Sequence, residues 1–214
     1  MKSVMLSVQP YWTYLIIAKA MWGASESKTI ELRKNFPKTE EWNKKVILYC
    51  SKNKQSFKKI PKQYQPLMEK FLGKVIGEFV CDEIKQIMYD VPCSMSAFEM
   101  GFGYFQEPRF NIYLNDTCLS EDELFEYLGE ADDISNESHP YPTYKFENGY
   151  AWHISDLKIY GKPKELSEFY SLPSKCRSSC KEENPMQFCG DCKQIKANRK
   201  IIKPPQSWCY CEEA

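Results

Sequence analysis

The chain has 214 residues, 29 Lys+Arg balanced by 29 Asp+Glu, and a 43% hydrophobic share that includes 14% aromatics. That length holds one generous domain, or a domain with an appendage, and the composition excludes global disorder. Zero formal net charge excludes nucleic-acid binding by bulk electrostatics and leaves room for a local basic patch.

Val4 to Val8 reads as a short strand. Pro10 then sits where a first helical residue tolerates proline. Tyr11, Tyr14, Leu15, Ala18, Met21 and Trp22 follow at helical spacing, predicting one amphipathic helix stopped by Gly23. This longest apolar run, broken by Thr13 and Lys19, is too short to span a membrane, so no membrane partner is expected. The opening residues lack the basic segment, apolar core and cleavage site of a signal peptide, and the expected setting is cytoplasmic.

Lys28 to Arg33 alternates polar and apolar residues and reads as a strand; Val46 to Cys50 reads as a short buried one. A basic, proline-punctuated loop is expected from Lys52 to Pro66, with a helical turn over Leu67 to Leu72. Lys74 to Tyr89 is a long strand signal whose glycines permit curvature, and Phe110 to Leu114 looks similar. Ser120 and Glu123 form a capping box ahead of Leu124, Phe125 and Leu128, predicting a helix that Gly129 ends. Tyr150 to Tyr160 is the next strand, broken by Gly161 and Pro163. Many short strands with two or three helices in non-alternating order predict an α+β class around a curled sheet.

In the strand from Lys28, the side chains of Thr29, Glu31 and Arg33 share one face while Ile30 and Leu32 take the other. With Lys28 at its entrance, the row suits a polar, planar ligand. Arg offers a bidentate donor fork, Glu accepts from an exocyclic amine, and a desolvated Lys serves as a base. The same row also reads as a solvated polar face with a weak ion pair.

Leu6 to Pro10, the helix behind it and Lys28-Thr29-Ile30-Glu31-Leu32-Arg33 resemble the opening of an ASCH-domain protein, whose signature is G-x-K-x-x-E-x-R after a strand and a helix. Gly149 to Ile154 is similar to that family's late aromatic strand. Lys203 to Tyr210 resembles the ending of long members from phages and prophages of Gram-positive bacteria. The resemblance implies a PUA-like curled β-barrel with flanking helices over residues 1–172, and a Cys-rich extension over 173–214 packing on it. It also implies a cleft for RNA or a modified nucleoside. Some members hydrolyse N4-acylated cytidines, using the signature lysine with a threonine and a glutamate; others have been assigned ribonuclease activity. Here the glycine two residues before the lysine is replaced by Glu26, and the threonine nucleophile's position holds Glu31. Thr29 lies about 7 Å away along the strand. If there is catalysis, Lys28 or Glu31 is the general base that activates a water. The ligand-binding set is expected to be Trp12, Lys28, Thr29, Glu31, Arg33, Tyr150 and Trp152, with Trp12 chosen because it lies off the apolar stripe. Tyr141 and Tyr144 are further aromatic candidates. A phage accessory protein acting on a host protein is the remaining alternative.

Lys52, Lys54, Lys58, Lys59 and Lys62, interleaved with Phe57 and Tyr64, form either a phosphate-binding loop or a solvated face. His139 and His153 have no carboxylate or cysteine in ligand register, so a catalytic dyad is not expected and His153 reads as an outward strand residue. Six of the ten cysteines fall at or after residue 176. Cys176-x3-Cys180 and Cys189-x2-Cys192 supply four soft ligands in two close pairs, a set that fits a structural zinc ion ordering a segment poor in aliphatics. Cys209 and Cys211 share one side of a strand, where either joins that site or packs in the core. A set of free thiols is the rival reading.

Overall fold

The computed structural model describes residues 2–37, 42–90, 109–134, 143–171 and 199–213. In chain order its elements begin with β1 (Lys2–Val8), α1 (Pro10–Trp22), β2 (Ile30–Arg33), β3 (Trp42–Cys50), α2 (Lys54–Lys58), α3 (Gln65–Phe71), β4 (Lys74–Val80) and β5 (Ile84–Asp90). There follow β6 (Arg109–Phe110), α4 (Leu114–Thr117), α5 (Glu121–Leu128), β7 (Ala131–Asp133), β8 (Thr143–His153) and β9 (Ser155–Lys164). A 3₁₀ turn at Leu166–Glu168 precedes β10 (Phe169–Ser171), β11 (Arg199–Lys200) and β12 (Trp208–Glu213). The class is mixed α+β. Among the described residues the strands form two sheets and not the closed barrel that the expected curled barrel implies.

The chain divides into two compact units. The first comprises Met1–Tyr14, Pro37–Val80 and Asp156–Ala214, and the second comprises Leu15–Phe36 and Cys81–Ser155. The first unit is built on a seven-stranded sheet in the order β11-β10-β12-β1-β3-β4-β9. β1 runs parallel to β3 and antiparallel to β12. Val4, Met5 and Leu6 are each wholly buried, which is why this strand reads as an unbroken apolar run rather than an alternating one. Met5, Ile47, Tyr49, Val75, Phe169, Ile201 and Cys211 make one core cluster, with Cys209 packed against it. Cys211 is thus wholly buried in this core and Cys209 is partly buried against it. Gly77 in β4 lies so close to β9 that an added Cβ would collide with the Lys158 carbonyl. β9 continues through Gly161 and Pro163 instead of breaking there. It is the sheet's edge, where a missing N–H leaves no ladder bond unmade.

The expected loop from Lys52 contains α2. Asn53 caps it by accepting the Ser56 N–H at 2.9 Å, and Pro66 sits in the first turn of α3. Helix α1 has the predicted extent, and Gly23 follows it at φ +64°. Its burial is wider than one stripe: Leu15, Ile16, Ile17 and Ala18 are consecutive and all buried, as is Thr13. A helix covered over a full turn selects apolar residues on every side, so the spacing rule misses Ile16 and Ile17.

The second unit carries the sheet β2-β8-β5-β6, with β7 also pairing β8. Its core gathers Leu32, Ile87, Phe110, Leu124, Leu128, Phe146 and Ala151. Phe110 and Phe125 stand 4.9 Å apart, and Tyr89 lies 4.8 Å from each of them. The predicted capping box is present: Ser120 Oγ accepts the Glu123 N–H, and Glu123 accepts the Ser120 N–H. Two long strand signals each split. Lys74 to Tyr89 separates at Cys81–Glu83 into β4 and β5, which belong to different units, because Asp and Glu are poor strand residues. Tyr150 to Tyr160 separates at Ile154, two residues before Asp156, which adopts φ +46° as Asp tolerates. Phe110 to Leu114 is strand only at its start, and Leu114 opens α4. Among the described residues no helix is long and apolar enough to cross a membrane. The expected boundary between 172 and 173 lies outside the described residues.

Candidate functional site

β2 is the edge of the second unit's sheet and pairs Ile30 with His153, Glu31 with Trp152, Leu32 with Ala151 and Arg33 with Tyr150. Leu32 enters the core, so alternation puts Glu31 and Arg33 on the opposite face. The residues ahead of the strand are held by the backbone. Lys28 N–H donates to the Leu15 carbonyl at 3.1 Å, and Thr29 N–H donates to the Asp116 carbonyl at 2.9 Å. The Thr29 carbonyl accepts the Ile154 N–H at 2.8 Å. The lysine side chain is thereby aimed inward rather than left at a strand entrance.

Lys28 is 4% exposed and Glu31 5% exposed, unusual values for these residue types. Lys28 Nζ donates to the Thr117 carbonyl at 2.9 Å and stands 3.7 Å from Glu31 Oε2. Arg33 Nη2 is 2.8 Å from Glu31 Oε1. One carboxylate thus serves two cations, and its buried Oε2 accepts no hydrogen bond among the described residues. Burial holds Lys28 below the ordinary lysine pKa, with the Glu31 carboxylate opposing the shift. A carboxylate oxygen with open capacity beside a guanidinium accepts from one ligand N–H while the cations hold an adjacent acceptor. A lysine with lowered pKa also takes up a proton from an attacking water or hydroxyl.

The structure brings Lys28, Glu31 and Arg33 together. Thr29 is half-buried one residue outside the strand and is fixed through its backbone. Tyr150 is half-buried opposite Arg33 and packs on Phe36 with ring centroids 4.6 Å apart. Trp152 is fully buried opposite Glu31. Trp12 belongs to the first unit, where its ring meets Tyr11 edge-on at 5.1 Å. Tyr144 is half-buried in β8. The zinc ligands expected at Cys176, Cys180, Cys189 and Cys192 lie outside the described residues, as do His139 and Tyr141.

Three participants escape sequence reasoning. Thr117 supplies the carbonyl that seats Lys28, a contact between residues 89 positions apart with no motif to mark it. Cys118 follows in the left-handed conformation at φ +56°. Burial pushes its thiol pKa up while the Lys28 ammonium pulls it down. Asp82 is the carboxylate that His153 was expected to lack: His153 Nδ1 and Asp82 Oδ1 are 2.7 Å apart. Only the pairing of β5 with β8 puts them side by side. The hydrogen bond from His153 holds the Asp82 carboxyl below its usual range. Beside them is a hollow of about 260 Å³, lined by Ile30, Lys85, Asn111, Tyr113 and Asp116 among others.

No protein-family model matches this chain, and no curated protein matches it.

Proposed function

We propose that this chain is a PUA-like protein of the ASCH type that binds RNA or a modified nucleoside through Lys28, Glu31 and Arg33. The observation that carries the reading is the buried Glu31 carboxylate, clamped by Arg33 and faced by Lys28, with Oε2 accepting no hydrogen bond among the described residues. Burying these charges carries a desolvation cost that well-packed apolar residues would avoid, which favours a role beyond stability. A base edge offering an amino group to Glu31 and an acceptor to Arg33 satisfies both. Thr29, Tyr150 and Trp152, all of the second unit, complete the proposed ligand-binding set, which belongs to a cytoplasmic protein of a bacterial host or its prophage.

A second reading, hydrolysis of an N4-acylated nucleoside, is favoured by the lowered pKa of Lys28. In it a neutral Lys28 accepts the proton of the attacking water as the C–O bond forms, and returns it to the N4 nitrogen as the acyl C–N bond breaks, while Glu31 holds the acyl-amide N–H. Both readings are tested by nucleoside mass spectrometry after incubating modified nucleosides and small RNAs with wild type and with Glu31→Gln. Loss of an acyl group with wild type alone supports turnover. Co-elution without conversion supports binding. If neither conversion nor co-elution is seen with wild type, the proposal is overturned for these ligands.

We further propose a structural zinc ion on Cys176, Cys180, Cys189 and Cys192. Support comes from the spacing and from the strands on either side: Ser171 in β10 pairs with Arg199 in β11, so the ends of the cysteine-bearing segment are already together. That pre-closure lowers the entropy lost in gathering four ligands. Elemental analysis of the full chain tests it, with one zinc per chain expected and none refuting it.

A further inference from the structure

Charge is unevenly spread over the first unit. Between Lys52 and Lys70 there are six lysines and one acidic residue, Glu69, in a chain of zero formal net charge. All six lysines are exposed. Lys54 and Lys58 stand one turn apart on α2 and so share a face.

This segment is firmly seated. The buried Ser56 hydroxyl accepts the Tyr11 N–H at 3.0 Å, fastening α2 to the start of α1. Gln65 Nε2 donates to the Ile60 carbonyl at 2.8 Å, and Ile60, Met68 and Phe71 are buried beneath. The lysines therefore project from a fixed base. Among them lies a chain of half-buried rings: Tyr11 to Trp12 at 5.1 Å, Tyr11 to Tyr14 at 6.5 Å and Tyr14 to Tyr64 at 5.3 Å. Lys59 Nζ lies 6.0 Å from the Tyr11 ring centroid, which ties the charged and aromatic parts of the surface together.

We propose that this face of the first unit binds single-stranded polynucleotide. Lysines contact successive phosphates, and the half-buried rings at the start of α1 receive bases by stacking. This pairing of a basic track with aromatic rings is what sequence-tolerant single-strand binding requires. The surface uses no residue of the Lys28–Glu31–Arg33 cluster and stands whether or not that cluster binds a nucleoside. An inserting membrane surface fits less well. The large hydrophobic side chains exposed among the described residues are Tyr113, Ile134 and Ile202, none of them here.

The test is fluorescence anisotropy of the full chain with labelled oligo(U) and oligo(dT) of 20 nucleotides, over 50–200 mM KCl. Lys54→Gln/Lys58→Gln/Lys62→Gln removes three phosphate contacts and retains Lys59 beside Tyr11. It is expected to weaken binding by roughly 10–100-fold at 100 mM salt and to reduce the log–log salt slope by about 2. The matching triple arginine variant retains wild-type affinity, which separates charge from folding damage. Trp12→Leu is expected to weaken binding about tenfold with the salt slope unchanged. The proposal is overturned if wild type binds neither oligonucleotide, or if the glutamine variant binds as wild type does. It is also overturned if only vesicles containing phosphatidylserine are bound.

Discussion

Replacing Glu31 with alanine separates a buried ion cluster from an ordinary polar strand face. The carboxylate stands 2.8 Å from Arg33 and 3.7 Å from Lys28, with side-chain exposures of 7%, 13% and 4% in the order Glu31, Arg33, Lys28. Alanine removes the carboxylate that both buried cations face. Removing one partner from a buried pair costs about 3–5 kcal/mol, against about 1 kcal/mol or less for an exposed pair. Lys28→Met is the informative control, because it leaves Glu31 still paired with Arg33. Its cost is about 1–3 kcal/mol, mainly the hydrogen bond lost by the buried Thr117 carbonyl. The double variant recovers part of the Glu31→Ala loss, since the buried Lys28 charge leaves together with the carboxylate that faced it. Urea unfolding, followed by amide exchange across β2 and β8, reads the second unit directly. If Glu31→Ala loses less than about 1 kcal/mol, or if Lys28→Met is the more damaging change, the buried-cluster argument fails.

Lys28 also makes a pH prediction. Its pKa is lowered on folding, so the unfolded chain holds this proton more tightly, and stability relative to Lys28→Met rises with pH up to the ordinary lysine value near 10.5. Denaturation of both proteins at a series of pH values checks this, and a falling difference refutes it. Gly77→Ala is expected to lower stability by about 1–3 kcal/mol, because the new Cβ meets the Lys158 backbone, which has no side-chain freedom to yield; thermal melts measure the loss. Alkylation at pH 8 followed by mass spectrometry should label Cys118 before Cys209, and Cys50 and Cys211 only on unfolding. Burial pushes the Cys50 and Cys211 thiols up to about 12 and Cys209 to about 11. A pKa near 12 leaves about one thiolate in 10,000 at that pH. Fast labelling of folded Cys50 contradicts this order.

What the sequence made legible follows from the range of the interactions involved. The α5 capping box and the Gly23 stop are local, and each was readable within a few residues. The Lys28, Glu31, Arg33 row was readable as well, because strand alternation is a short-range rule. Its burial was not. Lys28 is covered by the turn at Thr117, and nothing near Lys28 records that contact. His153 and Asp82 were hidden for the same reason, being joined only through the pairing of β5 with β8. The two long strand signals show the converse error. A continuous β-rich run marks strand propensity, while the switch from one sheet to another rests on a single short break.

The position of β12 sets an order of events during synthesis. The last described strand lies between β10 and β1, so Ser3 finds its partner Cys211 only after the intervening strands of both units have been made. The second unit has all of its residues once Ser155 has emerged from the ribosome. The first must wait with β1 open on one edge until β12 has been made. Its apolar Val4, Met5 and Leu6 are meanwhile exposed to chaperones or to aggregation, a hazard of long-range pairing. A nascent chain stalled before Trp208 would therefore carry one finished unit and one unfinished sheet.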